Sequence, residues 1–267
     1  MKMTVSVVSL FLLTVSLSIR KSSGQVVPLD MAVNSIDDSF EGCSEKMSKK
    51  VMTEYFEKET KEGYCKDAWK NALSNHTKGS LGEYQSAAIH LYTQPKEINK
   101  QCSYVQFNDA CREGKGAYVS GNFQFYTLYY FLTDAIQKLK KRWTQMWCVT
   151  AYRRTKLTFT ELAIKQKIRF GSFTSSSLKK KCINFGNVTC FKINTCFGAK
   201  LGKYSAVKHE EEVLIPPYEV FRVTGIKNHT NKNKLWCQVV YELKSAGKRS
   251  DLQCNKTNTE PYPETLV

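Results

Sequence analysis

Histidine and proline are scarce in this chain, at 4 and 6 of 267 residues, and 24 acidic residues face 40 lysines and arginines. Each shortage removes a class of function. His76, His90, His209 and His229 are scattered and no Cys-x-x-Cys pair occurs, so the spacing of a structural zinc site is missing and no metal is expected. There is no Gly-x-Ser-x-Gly elbow and no plausible Ser–His–Asp arrangement, which disfavours hydrolase chemistry. No internal repeat or low-complexity linker stands out. No recognised nucleic-acid motif accompanies the formal charge of +16. Its lysines are dispersed in short runs, such as Lys138 to Arg142 and Lys179 to Lys181. No specific nucleic-acid partner is therefore expected; the excess suits solubility and attraction to anionic cell surfaces.

What is present points to export. Lys2 precedes an apolar run from Val5 to Ile19, and Arg20, Lys21 and the small residues Ser22 to Gly24 follow. This is the order of a cleaved secretory signal over residues 1–24, and the run is too short for a comfortable membrane span. All 10 cysteines lie after it, an even number that suggests disulfides in an oxidising compartment. Four sequons, at Asn75, Asn187, Asn228 and Asn255, are candidate glycan sites. The stretch from Asn255 to Val267 is polar, with Pro261 and Pro263, so neither a transmembrane nor a GPI anchor is expected and the product should be secreted and soluble.

Residues 25–267 suit a single domain. The first half, about 25–142, reads as helical: Ser44 to Lys61, Cys65 to Leu73, Glu83 to Thr93 and, most clearly, Phe123 to Leu139 place apolar residues three and four apart. From about 143 to 255 short β-favouring runs replace them: Trp147 to Tyr152, Lys167 to Phe173, Val188 to Ile193, Glu211 to Ile215, Glu219 to Val223 and Leu235 to Leu243. Helices followed by strands predict an α+β fold.

Three segments of the strand-rich half carry candidate chemistry. Ala151-Tyr152-Arg153-Arg154-Thr155 closes a predicted strand. In Phe173-Thr174-Ser175-Ser176-Ser177-Leu178, Ser175 and Ser177 share a strand face. Glu210-Glu211-Glu212 precedes the apolar Val213-Leu214-Ile215. If that segment is extended, Glu210 and Glu212 point one way and Glu211 the other. Two such carboxylates can divide labour, one stabilising a developing cation while the other orients or deprotonates a nucleophile. Taken alone, each segment also reads as a solvated polar strand end.

Together, and in this order, the three segments resemble the arginine-specific mono-ADP-ribosyltransferases of the vertebrate ecto-enzyme family, with their strand-borne Arg, Ser-x-Ser and Glu-x-Glu. The resemblance extends to Ile36-Asp37-Asp38-Ser39-Phe40-Glu41-Gly42-Cys43, Ala88 to Thr93, Phe131 to Ile136 and Ile168-Arg169-Phe170-Gly171. It is most specific from Glu210 through Ile215-Pro216-Pro217-Tyr218-Glu219. It implies a helical N-terminal part packed on a two-sheet NAD-binding core. It implies NAD+ as co-substrate, with Arg153 on its phosphates, Ser175 on the nicotinamide-side ribose, Glu212 as the catalytic glutamate and Glu210 favouring arginine side chains of extracellular proteins as acceptors. It also implies Cys43–Cys254 and Cys148–Cys196 disulfides.

One departure stands out: Arg154 occupies a position where the family usually has glycine, which lets backbone approach a ligand closely. Arg153 is the preferred phosphate contact because it follows the aromatic Tyr152, whereas a one-residue gap would assign that role to Arg154. Two alternatives to transfer accompany the resemblance: an NAD glycohydrolase, in which water replaces arginine, and a catalytically silent secreted binding protein on the same fold.

Overall fold

The computed structural model describes residues 26–143, 147–180, 185–254 and 256–257. The signal segment, the Asn255 sequon, Cys182 and the segment 258–267 lie outside them.

The helical part contains α1 (Ser44–Lys50), α2 (Lys66–Asn75), α3 (Glu83–Thr93), α4 (Tyr104–Arg112), α5 (Lys115–Val119) and α6 (Tyr126–Trp143). The helix expected over Ser44 to Lys61 is not uniform: α1 passes into wider π turns at Val51–Tyr55 and Lys58–Glu62. Thr53 Oγ1 donates to the Lys49 carbonyl at 3.0 Å, and Thr60 Oγ1 to the Phe56 carbonyl at 2.6 Å. Such threonine back-bonding competes with the regular ladder. The apolar stripe of α6 (Leu128, Leu132, Ala135, Ile136) is fully enclosed and packs with Ala87, Ala88 and other buried residues of α3.

The strand-rich part continues the parallel pair β1 (Val26–Val27) and β3 (Thr158–Phe159), and adds β2 (Val149–Thr155), β4 (Lys167–Ile168), β5 (Thr174–Ser177), β6 (Thr189–Thr195), β7 (Ala199–Lys200), β8 (Glu212–Ile215), β9 (Glu219–Asn228) and β10 (Val239–Lys248). A short pair, β11 (Leu252–Gln253) and β12 (Lys256–Thr257), follows. Eight strands join in the order β4-β9-β10-β6-β2-β5-β8-β7. The two-sheet character expected from the resemblance survives at one seam: β2 and β5 meet through the single pair Tyr152–Ser177, whereas β2 and β6 pair along their full length.

Several strand bounds differ from expectation, each for a local reason. The strand predicted over Lys167 to Phe173 stops at Ile168, because Arg169 leaves the sheet and its N–H donates to the Asp30 carbonyl at 2.8 Å. Gly171 follows with φ +69°, where a Cβ would stand 2.8 Å from that of Ala32. The strand predicted from Leu235 begins only at Val239, because Cys237 is bound to Cys190. The strand predicted over Trp147 to Tyr152 runs on to Thr155, so the arginine pair lies within it.

A buried polar hub ties the ends of the chain to the sheet. Arg169 is 1% exposed; its Nη1 meets Asp37 Oδ2 at 2.6 Å, and its other nitrogens donate to the carbonyls of Met31 and Ala32. Asp37 Oδ1 also accepts from the backbone N–H groups of Asp251 and Leu252. Beside it, burial raises the Asp38 carboxyl to about 6, and its Oδ2 accepts from the Tyr118 hydroxyl and the Cys254 N–H. Disulfides link Cys43 to Cys254, Cys65 to Cys102, Cys148 to Cys196 and Cys190 to Cys237, and Cys111 is a buried thiol.

Candidate active site

The joint between the two parts is aromatic. Phe173, immediately before β5, stacks on Phe107 at 5.5 Å and meets Tyr129 edge-on at 5.3 Å. Its carbonyl accepts from the Tyr92 hydroxyl at 3.0 Å, which in turn accepts from Asn108 Nδ2 at 3.0 Å. Burying so many rings around one residue fixes where β5 starts, and therefore where its serines stand.

From that anchor β5 runs antiparallel to β8, with Ser175 opposite Leu214 and Ser177 opposite Glu212. Ser177 Oγ donates to the Glu210 carbonyl at 2.5 Å and Ser176 Oγ to the Val213 carbonyl at 2.8 Å, so two of the three serines hold β8. Ser175 lies on the site side of β5, where it lowers the proton affinity of both the Glu212 carboxyl and the Tyr92 hydroxyl. Arg153 reaches across from β2, its Nη1 donating to the Ser175 carbonyl at 2.7 Å. Burial lowers the affinity of its guanidinium for its proton, and the nearby Tyr92 and Glu212 partly restore it.

Glu212 is the first residue of β8 and only 5% exposed. Burial pushes its carboxyl up to about 7 despite hydrogen bonds from Ser175 and Ser205, the latter at 3.2 Å, and the charge of Arg153. Glu210 is half-buried and its carboxyl is also raised by burial. The extended geometry considered for Glu210 to Glu212 is not adopted. Lys208–Glu210 forms a tight turn, and Glu211 sits in the left-handed region at φ +47°. This throws the Glu211 side chain outward to pair with Lys179 at 3.0 Å.

Arg154 takes no part in this cluster. Its Nε donates to the Gly186 carbonyl at 2.7 Å, its Nη2 to the Trp236 carbonyl at 3.1 Å, and its guanidinium lies 5.1 Å from the Trp236 ring centre. The structure therefore brings Arg153, Ser175, Glu212 and the Glu210 turn together and separates Arg154 from them. Tyr92 and Ser205 belong to the cluster and carried no sequence signal of that role. Tyr92 lies within the expected helix Glu83 to Thr93, and Ser205 lies outside every expected element. The sequons Asn75, Asn187 and Asn228 are exposed, at the end of α2, before β6 and at the end of β9.

Chemically, the cluster presents a cation on β2 and a buried carboxylate on β8, on either side of the serine strand β5, with a second carboxylate on the adjoining turn. That set can hold an anionic group at one end and stabilise positive charge a few ångströms away.

Residues 29–251 match the family model described as NAD:arginine ADP-ribosyltransferase. The chain is 32% identical over 240 residues to the NAD(P)(+)–arginine ADP-ribosyltransferase 1 of Gallus gallus, covering 85% of this chain and 72% of that one. It is 33% identical over 232 residues to the T-cell ecto-ADP-ribosyltransferase 2 of Mus musculus, covering 81% and 75%. Among solved structures it resembles a mutant of the eucaryotic mono-ADP-ribosyltransferase ART2.2 in complex with NADH, with a TM-score of 0.67 at 29% identity, covering 85% of this chain and 98% of that one. It also resembles an ART2.2 mutant in complex with NAD, at a TM-score of 0.65 and 30% identity, covering 85% and 98%.

Proposed function

The chain belongs to the NAD:arginine ADP-ribosyltransferase family, and we propose a division of labour among its clustered side chains for transferring ADP-ribose from NAD+ to arginine. The observation that carries the assignment is the convergence of Arg153, Ser175 and Glu212 on the β2–β5–β8 junction.

Arg153 is the cation suited to the NAD+ pyrophosphate. Ser175 orients the ribose beside the nicotinamide, next to Glu212. Breaking the bond between ribose C1′ and the nicotinamide nitrogen sends the electron pair to nicotinamide, which leaves neutral, while the ribose gains oxocarbenium character. The ionised Glu212 carboxylate stabilises that charge inside a water-poor site. An acceptor arginine then supplies a guanidinium nitrogen to C1′. A guanidinium is a poor nucleophile while charged, so Glu210 takes one proton as the new C–N bond forms. The products are ADP-ribosyl-arginine, nicotinamide and one proton.

We place this work outside the cell, as a secreted protein. The signal-like order of residues 1–24, four disulfides and exposed sequons at Asn75, Asn187 and Asn228 support that setting. No described helix is long and apolar enough to cross a membrane.

The test is incubation of the folded protein with NAD+ labelled in its adenylate and with a small blocked arginine, N-acetylarginine methylamide. Label on the acceptor with equimolar nicotinamide release is expected. Nicotinamide release without labelled acceptor would replace the transferase by a glycohydrolase, and neither product would overturn the reading.

A further inference from the structure

The segment from Leu201 to Glu211, which joins β7 to β8, delivers Glu210 and Glu212 to the site and forms a ledge beside them. Its first turn, Gly202–Tyr204, is fastened to the α2–α3 connection. The Tyr204 hydroxyl accepts from the backbone N–H groups of Ser80 at 2.8 Å and Leu81 at 3.2 Å, and Thr77 Oγ1 donates to the Lys203 carbonyl at 3.0 Å. Gly79 makes room for this, since a Cβ there would meet the Tyr204 hydroxyl at 2.5 Å. Lys203 Nζ donates to the Lys78 carbonyl at 3.1 Å, bringing the two lysines to one place. The ledge then runs through Ser205, bonded to Glu212, and through Ala206, whose N–H donates to Thr93 Oγ1 at 2.8 Å, to the second turn at Lys208–Glu210.

Lys78, Lys203 and Lys208 are exposed, and among the described residues none of them pairs with a carboxylate. The neighbouring Lys179 is neutralised by Glu211, and Lys180 lies over the Trp236 ring at 5.5 Å. The carboxylates nearby are the half-buried Glu210 and the exposed Glu83 at the start of α3. Lys208 shares the Glu210 turn, and Lys203, whose Nζ also lies 5.6 Å from the Tyr204 ring centre, and Lys78 stand at the other end of the same ledge, so the surface that leads to Glu210 carries three ammonium groups without carboxylate partners among the described residues.

We infer that this ledge selects arginines set in acidic protein segments, with Asp or Glu side chains flanking the acceptor lying against Lys78, Lys203 and Lys208. The inference rests on Glu210 being the acceptor-side carboxylate. Complementary charge of this kind governs encounter and register, and salt screens it. Arginines flanked by lysine are repelled from the same ledge.

The experiment uses the full chain and two fluorescent peptides, each with one central arginine, flanked by glutamates in one and by lysines in the other. Fluorescence anisotropy reads binding without requiring turnover. The acidic peptide should bind about tenfold more tightly at low salt, a gap that closes as added salt shortens the screening length. The triple variant Lys78→Glu, Lys203→Glu, Lys208→Glu should lose or invert the preference while hydrolysing NAD+ at the parent rate. A control with Lys46, Lys49 and Lys232 each changed to Glu should keep it. Equal binding of the two peptides, or equal loss of preference in the control, would overturn the inference. Turnover separates it from the transferase reading. If the blocked arginine is labelled and both peptides are labelled with equal kcat/KM, the ledge has no selective role. If the acidic peptide binds preferentially but no arginine is ever labelled, the ledge is a binding surface for acidic segments and the transferase reading fails.

Discussion

Arg153 and Arg154 are neighbours on β2 and reach opposite ways: Arg153 donates to the Ser175 carbonyl at 2.7 Å, while Arg154 donates to the carbonyls of Gly186 and Trp236 at 2.7 and 3.1 Å. Alternation along a strand requires this divergence. The long side chain at the position where the resemblance leads one to expect glycine is therefore drawn out of the site. As it lies here, the Arg154 side chain adds no bulk to the Arg153–Ser175–Glu212 cluster.

The two arginines should separate under mutation. Arg153→Ala is expected to lower kcat/KM for NAD+ about a hundredfold, roughly 3 kcal/mol of transition-state binding. Arg154→Ala should leave kcat/KM within about threefold of the parent and lower stability by about 1–2 kcal/mol, since two carbonyls lose a charged donor. Steady-state nicotinamide release and denaturant titration of both variants check this. A larger kinetic loss from Arg154→Ala would reassign the phosphate contact.

Glu212 carries a conflict between stability and chemistry that pH should expose. Its carboxyl titrates near 7 in the folded chain, against an unfolded value of 4.5. Between those two values the folded state holds a proton that the unfolded state has released, so stability falls as pH rises from about 4.5 to 7 and stays reduced above it. Catalysis needs the ionised form, so kcat/KM for NAD+ should rise through pH 7 and level off above it. Glu212→Gln should abolish nicotinamide release. It should also stabilise the fold at pH 8 by up to about 3 kcal/mol, with little gain at pH 4. Paired melting curves at the two pH values read the difference.

Glu210 stands on a turn outside the strand and is only half-buried, which suits it to the acceptor and not to the scissile bond. Glu210→Gln is expected to cut transfer to the blocked arginine at least a hundredfold, about 3 kcal/mol, while nicotinamide release into water persists within a few-fold. Parallel assays of labelled arginine and free nicotinamide measure both. Equal losses in the two would contradict the split of roles.

Much of this was legible in the sequence, and unevenly so. The α6 stripe announced itself because Leu128, Leu132, Ala135 and Ile136 repeat at helical spacing, and α3 was read to its observed bounds for the same reason. The α4 and α5 helices were missed: α4 mixes polar and apolar residues over nine positions, and α5 is only five residues long. The shared face that an extended Glu210–Glu212 segment would give is not realised, because period-two alternation holds only inside a strand and the left-handed Glu211 ends it. Tyr92 and Ser205 could not be placed at the site, because their partners lie 81 residues away at Phe173 and, for Ser205, across a turn whose shape no local pattern encodes. The Cys43–Cys254 and Cys148–Cys196 pairs came with the family resemblance, whereas Cys65–Cys102 and Cys190–Cys237 follow from tertiary contacts alone.

The buried pair Arg169–Asp37 offers a test of how the segment Ile36 to Cys43 supports the site. Arg169 belongs to the chain that leads from β4 into the serine strand, and Asp37 to the segment that also receives Asp251 and Leu252. Both side chains are fully enclosed, so removing one leaves the other charged and unpaired. Asp37→Asn should therefore cost about 3–5 kcal/mol in denaturant titration, far more than loss of a surface pair such as Lys61–Glu57, at up to about 1 kcal/mol. The consequence for function is indirect. With the Arg169 charge uncompensated, the short link from Arg169 to the Phe173 anchor loosens, and the disturbance reaches Ser175 through that link. Folded Asp37→Asn protein should show a lower kcat with the pH midpoint shifted down toward the ordinary carboxylate range, because a loosened site admits water to Glu212. A variant that loses stability yet keeps both kcat and the midpoint near 7 would confine the hub to holding the fold together.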